Sequence, residues 1–283
     1  MILIADSGAS KTDWRLILSP TQIVPLKSSG WSPYFMESAE MIADGKAQLL
    51  PKMDTNWVGQ IRQIYFYGTG CSNVENCKRV EIALQNLFPA ATQIAVAHDL
   101  LGAARALCGR EAGIACILGT GSHACLFDGE NITAEAMNLG FWLGDEGSGG
   151  YLGKRLLTAW AYREMPPALH QKLQKRYQLD RNTLLARAYQ QPKPNEYFAS
   201  FSHFLLHNLE DPFCYTLVYE AFLLFLERHV CKFENYDQLP VHFTGSIAFY
   251  FGNILRKAAQ NKGIWLKNIV EKPIAGLTLY HNL

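Results

Sequence analysis

Three stretches of this 283-residue chain turn on small residues beside a carboxylate, a hydroxyl or a lysine. The first, "ILIADSGASKTDWRLI", runs from apolar residues into Asp6. It then passes through Ser7, Gly8, Ala9 and Ser10 to Lys11 and Thr12, and an apolar pattern resumes at Trp14, Leu16 and Leu18. "GTGSHA" from Gly119 and "TGSIA" around Gly245 and Ser246 share its character. Small residues let backbone N–H groups approach an anion closely, and hydroxyls add donors, so each turn has the makings of a phosphate cradle. Lys11 adds a positive charge. Asp6 cannot face phosphate directly, because like charges repel. It suits a hydrated Mg²⁺ bridging to phosphates, since Mg²⁺ prefers oxygen ligands and keeps several waters. Asp or Ser beside Gly is also ordinary turn chemistry, and any one of these loops alone reads more readily as structure. None is a Walker A loop or a dinucleotide-binding G-x-G-x-x-G that opens a helix.

Two further carboxylates have the right surroundings for work on a hydroxyl. In "QIAVAHDLLGAARAL", Asp99 ends a strand and begins an Ala-rich helix. Phosphoryl transfer needs a base near the phosphates to take the acceptor's proton, and Asp99 fits that role. It fits equally as a helix N-cap. In "GFWLGDEGSGG", Asp145 or Glu146 can accept hydrogen bonds from vicinal sugar hydroxyls. The alternative is an acidic turn that caps the next helix through Ser148. Glu146 receives no role beyond structure or proximity to a metal. Trp31 and Trp142 have faces that could stack on a sugar, although core or rim packing is the simpler reading. Thr69, in "FYGTGCSN", ends another strand at a turn. The lone histidines at 170, 203, 207 and 229 lack ligand spacing and read as structural or surface groups.

The elements that must position these residues alternate between strand and helix. "MILIAD" and "WRLILS" predict a hairpin through the first small-residue turn. "SAEMIADGKAQLLPKM" and "NCKRVEIALQNLF" have helical spacing, and "IRQIYFYGTG" and "QIAVAH" read as strands. "GIACILGTGSHACLF" then repeats the opening hairpin in outline, which predicts two lobes on one plan with their turns facing a common cleft. The chain is mainly helical from about 166 to 235. "PVHFTG" and "IWLKNIV" supply late strands, and a short helix closes the chain. The expected class is α/β with mixed sheets.

Composition excludes several classes. About half of the residues are hydrophobic (49%), ample for a large core, and the length favours two lobes. The net charge is +1 with acids and bases dispersed, so no basic patch invites nucleic acid or an anionic membrane. Asp6 interrupts the first apolar run and no basic segment precedes it, so no signal peptide is expected. "AFLLFLERHV" is too short and too soon charged to span a bilayer. The seven cysteines are scattered, an odd number without CxxC spacing. The expected setting is soluble, reducing and cytoplasmic.

Taken in order, "DSGASKT", "HD" before an Ala-rich helix, "GTGS", "GDEGSG" and "TGSIA" resemble the superfamily of sugar kinases, actin and heat-shock chaperones. More narrowly the chain is similar to the N-acetylglucosamine kinase branch, grouped with the BadF/BadG/BcrA/BcrD ATPase family. The resemblance runs from Ile2 to the closing "PIAGL". It implies two ribonuclease-H-like lobes, as in actin-like ATPases, with an ATP cleft between them. Residues 1–105 would form the first lobe, completed by 271–283, and 106–270 the second. It implies ATP contacts at Asp6, Gly8, Ser10, Lys11 and Thr12, at Gly119, Thr120, Gly121 and Ser122, and at Gly245 and Ser246. It implies Mg²⁺ at Asp6, held through water. Asp99 would be the catalytic base and a substrate contact, and Ser32, Gly140 and Asp145 would hold the amino sugar. Homodimers are common among such relatives.

The departures concern affinity and specificity. Ser7, Ala9 and Ser10 replace the Gly, Gly and Thr of the family's D-G-G-G-T-K-T loop, and Ser246 replaces a second Gly. Ser32 and His123 stand where relatives carry Asn, so a larger amino sugar such as N-acetylmuramate is an alternative to N-acetylglucosamine. Two other readings remain. An ATPase activator of 2-hydroxyacyl-CoA dehydratases would need cysteines for an iron–sulfur cluster, and no such motif is present. A sugar-sensing relative would keep the fold and lose turnover.

Overall fold

The structure is a computed structural model. It describes residues 1–8 and 10–282; Ala9, within the expected first phosphate turn, and Leu283 lie outside the described residues. The chain divides into two compact units. One comprises Met1–Glu111, Gly129–Asn131 and Lys272–Leu283, and the other Ala112–Asp128 and Ile132–Glu271.

In the first unit, the opening apolar run forms β1 (Ile2–Ser7) and pairs antiparallel with β2 (Lys11–Ser19). β3 (Gln22–Ser29) extends the meander on one side. β4 (Gln63–Gly68) and β5 (Gln93–His98) add in parallel on the other, giving the order β3-β2-β1-β4-β5. Leu3, Ile4 and Ala5 are all fully buried, as befits a central strand covered on both faces. Leu3 and Ala5 join a core with Trp14, Trp31, Phe66 and the helix Val74–Leu87. Ile4 joins the opposite core with Tyr67 and with Ile274 and Leu277 of the closing helix Ile274–His281. The chain therefore returns to its beginning to complete this sheet.

The second unit repeats the plan. β6 (Gly113–Leu118) pairs antiparallel with β7 (Ser122–Phe127), and β8 (Ile132–Glu135) follows. β9 (Val241–Thr244) and β10 (Leu266–Val270) add in parallel, in the order β10-β9-β6-β7-β8. The helices Gly149–Tyr162 and Pro212–Phe225 and the inner face of the amphipathic helix Gly252–Asn261 contribute to its core. The repeated hairpin read from the sequence is thus repeated at the level of whole sheets. The edge strands β3 and β8 are not evident from the sequence. Pro25 interrupts the strand signal of β3, a residue that an edge tolerates. β8 is only four residues long and mostly exposed. Among the described residues, no helix is long and apolar enough to cross a membrane.

The closing helix is tied down by polar as well as apolar contacts. The His281 ring stacks on Tyr65 at 3.8 Å, and its Nε2 lies 2.8 Å from the Tyr67 hydroxyl. Arg105 donates to that hydroxyl at 2.9 Å. Burial, with Arg105 and Arg110 adding to it, pushes His281 down from 6.5 to about 4. Between these values the unfolded chain binds a proton at this ring that the folded chain refuses, so the contribution of His281 to stability falls as pH drops from about 6.5 towards 4 and is flat above. Asp6, whose carboxyl is raised to about 7, contributes the opposite slope over the same range, so the difference between parent and variant isolates His281. Relative to the parent, the urea unfolding midpoint of His281→Phe, which keeps the stacking, should rise steadily as pH drops from about 6.5 towards 4. An unchanged slope in the variant would assign the acid sensitivity elsewhere.

Candidate functional site

The candidate residues fall into two groups, one in each unit. In the first unit the hairpin register sets Asp6 directly across from Asp13. Cross-strand partners project to the same face, so two carboxylates are brought together, an arrangement that is unfavourable unless countered. Lys272 counters Asp13, with Nζ 2.9 Å from Oδ2. Among the described residues Asp6 has no such ion pair. Burial, followed by the charges of Asp99 and Asp13, pushes its carboxyl up from 3.8 to about 7, although Lys272 and Lys11 act in the opposite sense.

The turn between Asp6 and Lys11 is closed by Gly8 N–H donating to the Lys11 carbonyl at 3.0 Å. Gly8, Ser10 and Lys11 are exposed. Beneath them Ser7 Oγ and Thr12 Oγ1 lie 2.7 Å apart, fully buried. Thr12 donates to the Ser29 carbonyl, and Ser7 Oγ accepts from the Trp31 amide. These hydroxyls fasten the turn to the neighbouring strand. Trp31 is wholly buried, donates from Nε1 to Asp44 and stacks on Phe66, so it is core. Ser32 follows it and is only 3% exposed. Gly70, at φ +85°, lets the backbone after β4 pass close to Ser32, because a Cβ there would lie 3.2 Å from Ser32 Oγ.

Asp99 is the first residue of the helix Asp99–Cys108. The cap is His98, whose Nδ1 accepts the Leu100 amide at 3.4 Å. His98 Nε2 also lies 3.2 Å from Asp99 Oδ1. The Asp99 carboxylate is therefore not the helix cap.

In the second unit the turn from β6 into β7 carries Gly119, Thr120 and Gly121. The amides of Gly149 and Gly150, at the start of the following helix, donate to the Gly119 and Thr120 carbonyls at 2.8 and 3.0 Å. Ser148 caps that helix by accepting the Tyr151 amide. With capping assigned to Ser148, Asp145 is left to hold the turn: its Oδ1 accepts the Ser122 amide at 3.2 Å. A Cβ on Gly121 would lie 3.1 Å from Asp145 Oδ2. Asp145 is 7% exposed and has a left-handed backbone, φ +58°. Burial raises its carboxyl above the ordinary carboxylate range, while the Ser122 amide and Lys154 work against that rise. Gly140, at φ +66°, opens the short helix Gly140–Leu143. Asn138 links the two segments: its Nδ2 donates to the Ser122 carbonyl and its Oδ1 accepts the Gly140 amide, both at 2.7 Å. Asn138 belongs to no motif in the sequence. Trp142 is half-exposed and stacks on Tyr189. His123 faces Glu135, 3.6 Å away.

Gly245, at φ +115°, brings the third turn against the second. A Cβ there would lie 2.2 Å from the Leu118 carbonyl oxygen. Beside these turns is a cavity of about 270 Å³ lined by Gly119, Thr120, Ser200, His203, Ser246 and Tyr250. Two hydroxyls of these turns, Ser122 Oγ and Thr244 Oγ1, are buried without a hydrogen-bond partner. Such orphaned groups are rare in a protein interior. His203 reads as a structural or surface group in the sequence, because a cavity wall assembled from a distant helix leaves no local signal.

Gly245→Ala would combine a left-handed alanine with a clash against backbone that has little room to yield. It is expected to lower stability by about 2 kcal/mol or more, read as a lowered midpoint in urea. A midpoint equal to that of the parent would show that the two turns need not touch.

No protein-family model and no curated protein matches the chain. Among solved structures, a putative N-acetylglucosamine kinase from Porphyromonas gingivalis is 38% identical, covers 100% of this chain and 99% of its own, and superposes with a TM-score of 0.94. A putative N-acetylglucosamine kinase from Chromobacterium violaceum shares the fold at 20% identity, with 99% and 98% covered and a TM-score of 0.73. A glucokinase of the ROK family from Streptomyces griseus shares it at 12% identity, with 99% and 97% covered and a TM-score of 0.55.

Proposed function

The chain belongs to the N-acetylglucosamine kinase-like family, and on that premise we propose that it transfers the γ-phosphoryl group of ATP to a hydroxyl of an N-acetylated amino sugar, N-acetylglucosamine first among them. The observation that carries the mechanism is Asp99. It opens its helix while His98 does the capping, so its carboxylate, with Oδ1 3.2 Å from His98 Nε2, is not spent on the helix end and can be turned to a substrate hydroxyl. In this reading Asp99 orients the hydroxyl and accepts its proton as the oxygen attacks phosphorus.

Gly8, Ser10 and Lys11 face the phosphates in the first unit, and the buried Ser7–Thr12 pair supports the turn from below. In the second unit Gly119, Thr120, Gly121 and Ser122 form the other phosphate turn. The Ser122 and Thr244 hydroxyls supply the unmatched polar groups there. Gly245 and Ser246 border the cavity for the nucleoside, with His203 and Tyr250 on its wall. In the second unit Gly140 and Asp145 are the sugar contacts, Asp145 through its carboxylate.

The donors also fit Mg²⁺. Asp6, Asp13 and Asp99 concentrate negative charge in the first unit, and Lys272 is paired with Asp13. No group of three or more His, Cys, Asp or Glu side chains among the described residues is arranged to hold a metal alone. That suits an ion held by one carboxylate, with water and phosphate oxygens completing its shell. Mg²⁺ bound there would neutralise phosphate charge, and Asp6 would hold it through water.

The test is ADP release from ATP and Mg²⁺ against N-acetylglucosamine, N-acetylmannosamine, N-acetylmuramate, glucosamine and glucose. Sugar-dependent release with an N-acetylated sugar is the expected result, and none with any sugar would overturn the reading. Asp99→Asn should lower turnover about 100-fold or more while leaving nucleotide affinity intact. Near-normal turnover in that variant would remove Asp99 from the role of base.

A further inference from the structure

Glu146 stands next to Asp145 and has so far had no role. It is 4% exposed, and each of its carboxylate oxygens already has a partner. Oε1 accepts from Arg228 Nη1, and Oε2 lies 3.0 Å from His229 Nε2. Burial pushes this carboxyl up, yet hydrogen bonds from His229, its own backbone amide and Arg228 bring it below the ordinary glutamate value. Glu146 is thus committed to protein and is not offered to a sugar or a metal.

Its partners are consecutive residues, which an α-helix with 3.6 residues per turn would splay by about 100°. They lie instead in a wide π-helical turn, Leu226–Val230, which continues the helix Pro212–Phe225 and is closed by Cys231 N–H on the Leu226 carbonyl at 2.8 Å. Its wider winding narrows the angle between neighbours, so both side chains reach one carboxylate. Turns of this kind concentrate at functional sites. The His229 ring is itself held flat on Phe225, 4.9 Å between centroids. The loop presses on the same phenylalanine, since a Cβ on Gly147 would lie 3.1 Å from Phe225 Cβ. Glu146 and Gly147 are therefore both anchored to one helix end.

Immediately before them is Asp145, with φ at +58°. A non-glycine residue in that region persists only where its surroundings over-determine it. We infer that Glu146, Arg228 and His229 form a clamp that holds Asp145 in this conformation and so presents its carboxylate to the sugar. All three are positioning residues, and none touches substrate. The inference rests on the reading of Asp145 as the sugar contact.

The experiment compares the full-length protein with Glu146→Gln, His229→Leu and His229→Gln, the last of which keeps an N–H for Glu146. Two quantities are read: hydrogen exchange at the Ser148 amide, which bonds to the Asp145 carbonyl at 3.0 Å, and calorimetric affinity for N-acetylglucosamine and for Mg²⁺–ATP. His229→Leu and Glu146→Gln are expected to speed Ser148 exchange about tenfold and to weaken sugar binding by a similar factor, with nucleotide affinity nearly unchanged. His229→Gln should recover most of both. Unchanged Ser148 exchange in both disruptive variants would overturn the clamp. So would a parallel loss of sugar and nucleotide affinity that tracks the loss of thermal stability and is not recovered by Gln. If the parent protein binds no N-acetylglucosamine, the sugar reading fails on its own. The exchange rates then decide the clamp, with faster exchange upholding it and unchanged exchange overturning it.

Discussion

Two carboxylates facing each other across a hairpin impose the main constraint on the first unit. Asp6 and Asp13 are paired by the register of β1 and β2, and Asp99 adds a third negative charge from the end of β5. A sheet cannot bury such a group without an answering charge. Lys272 provides it for Asp13, and Lys272 belongs to the last segment of the chain. The first unit therefore needs the C-terminal segment for its electrostatics. The same segment supplies Ile274 and Leu277 for packing and His281 for the aromatic cluster on β4. One run of residues closes the charge balance, the core and the outer face of β1 together.

The second unit uses the same strand order with a different solution at its turns. Its central problem is close approach of backbones. Gly245 lacks the Cβ that would strike the Leu118 carbonyl, and Gly121 lacks the one that would press on Asp145. These absences let three chain segments meet at the end of one sheet. Buried hydroxyls and a carboxylate then stand where only backbone would otherwise be. The charge of Glu146 is countered from behind by Arg228, and His229 Nε2 lies against its other carboxylate oxygen. The two units thus share an architecture while differing in what holds their turns: buried hydroxyls and one ion pair from the C-terminal segment in one, missing side chains and a π-helical turn in the other.

Much of this was legible in the chain. Alternating apolar runs marked β1, β2, β6 and β7, since a two-residue period with small-residue turns has few other solutions. The order of the motifs marked the family. The core role of Trp31 was the simpler expectation, and its full burial agrees. β3 and β8 were not legible, because an edge strand can carry proline or be mostly exposed. The cap at His98 could not be separated from one at Asp99, since both residue types stand at the same junction and only geometry shows whose side chain takes the Leu100 amide.

The sequence by itself determined the class of fold, the repetition of the hairpin and the identity of the chemical groups, because these depend on residue types and on spacings of a few positions. Tertiary structure alone decided which groups are free to act. Glu146 and Asp145 are neighbours of like chemistry, yet Arg228 and His229, more than eighty positions away, occupy one and leave the other to the turn. His203 enters the cavity wall, and Asn138 reaches the Ser122 carbonyl, for the same reason. Long-range packing brings them to the turns, and contacts between distant residues leave no periodic or local mark along the chain.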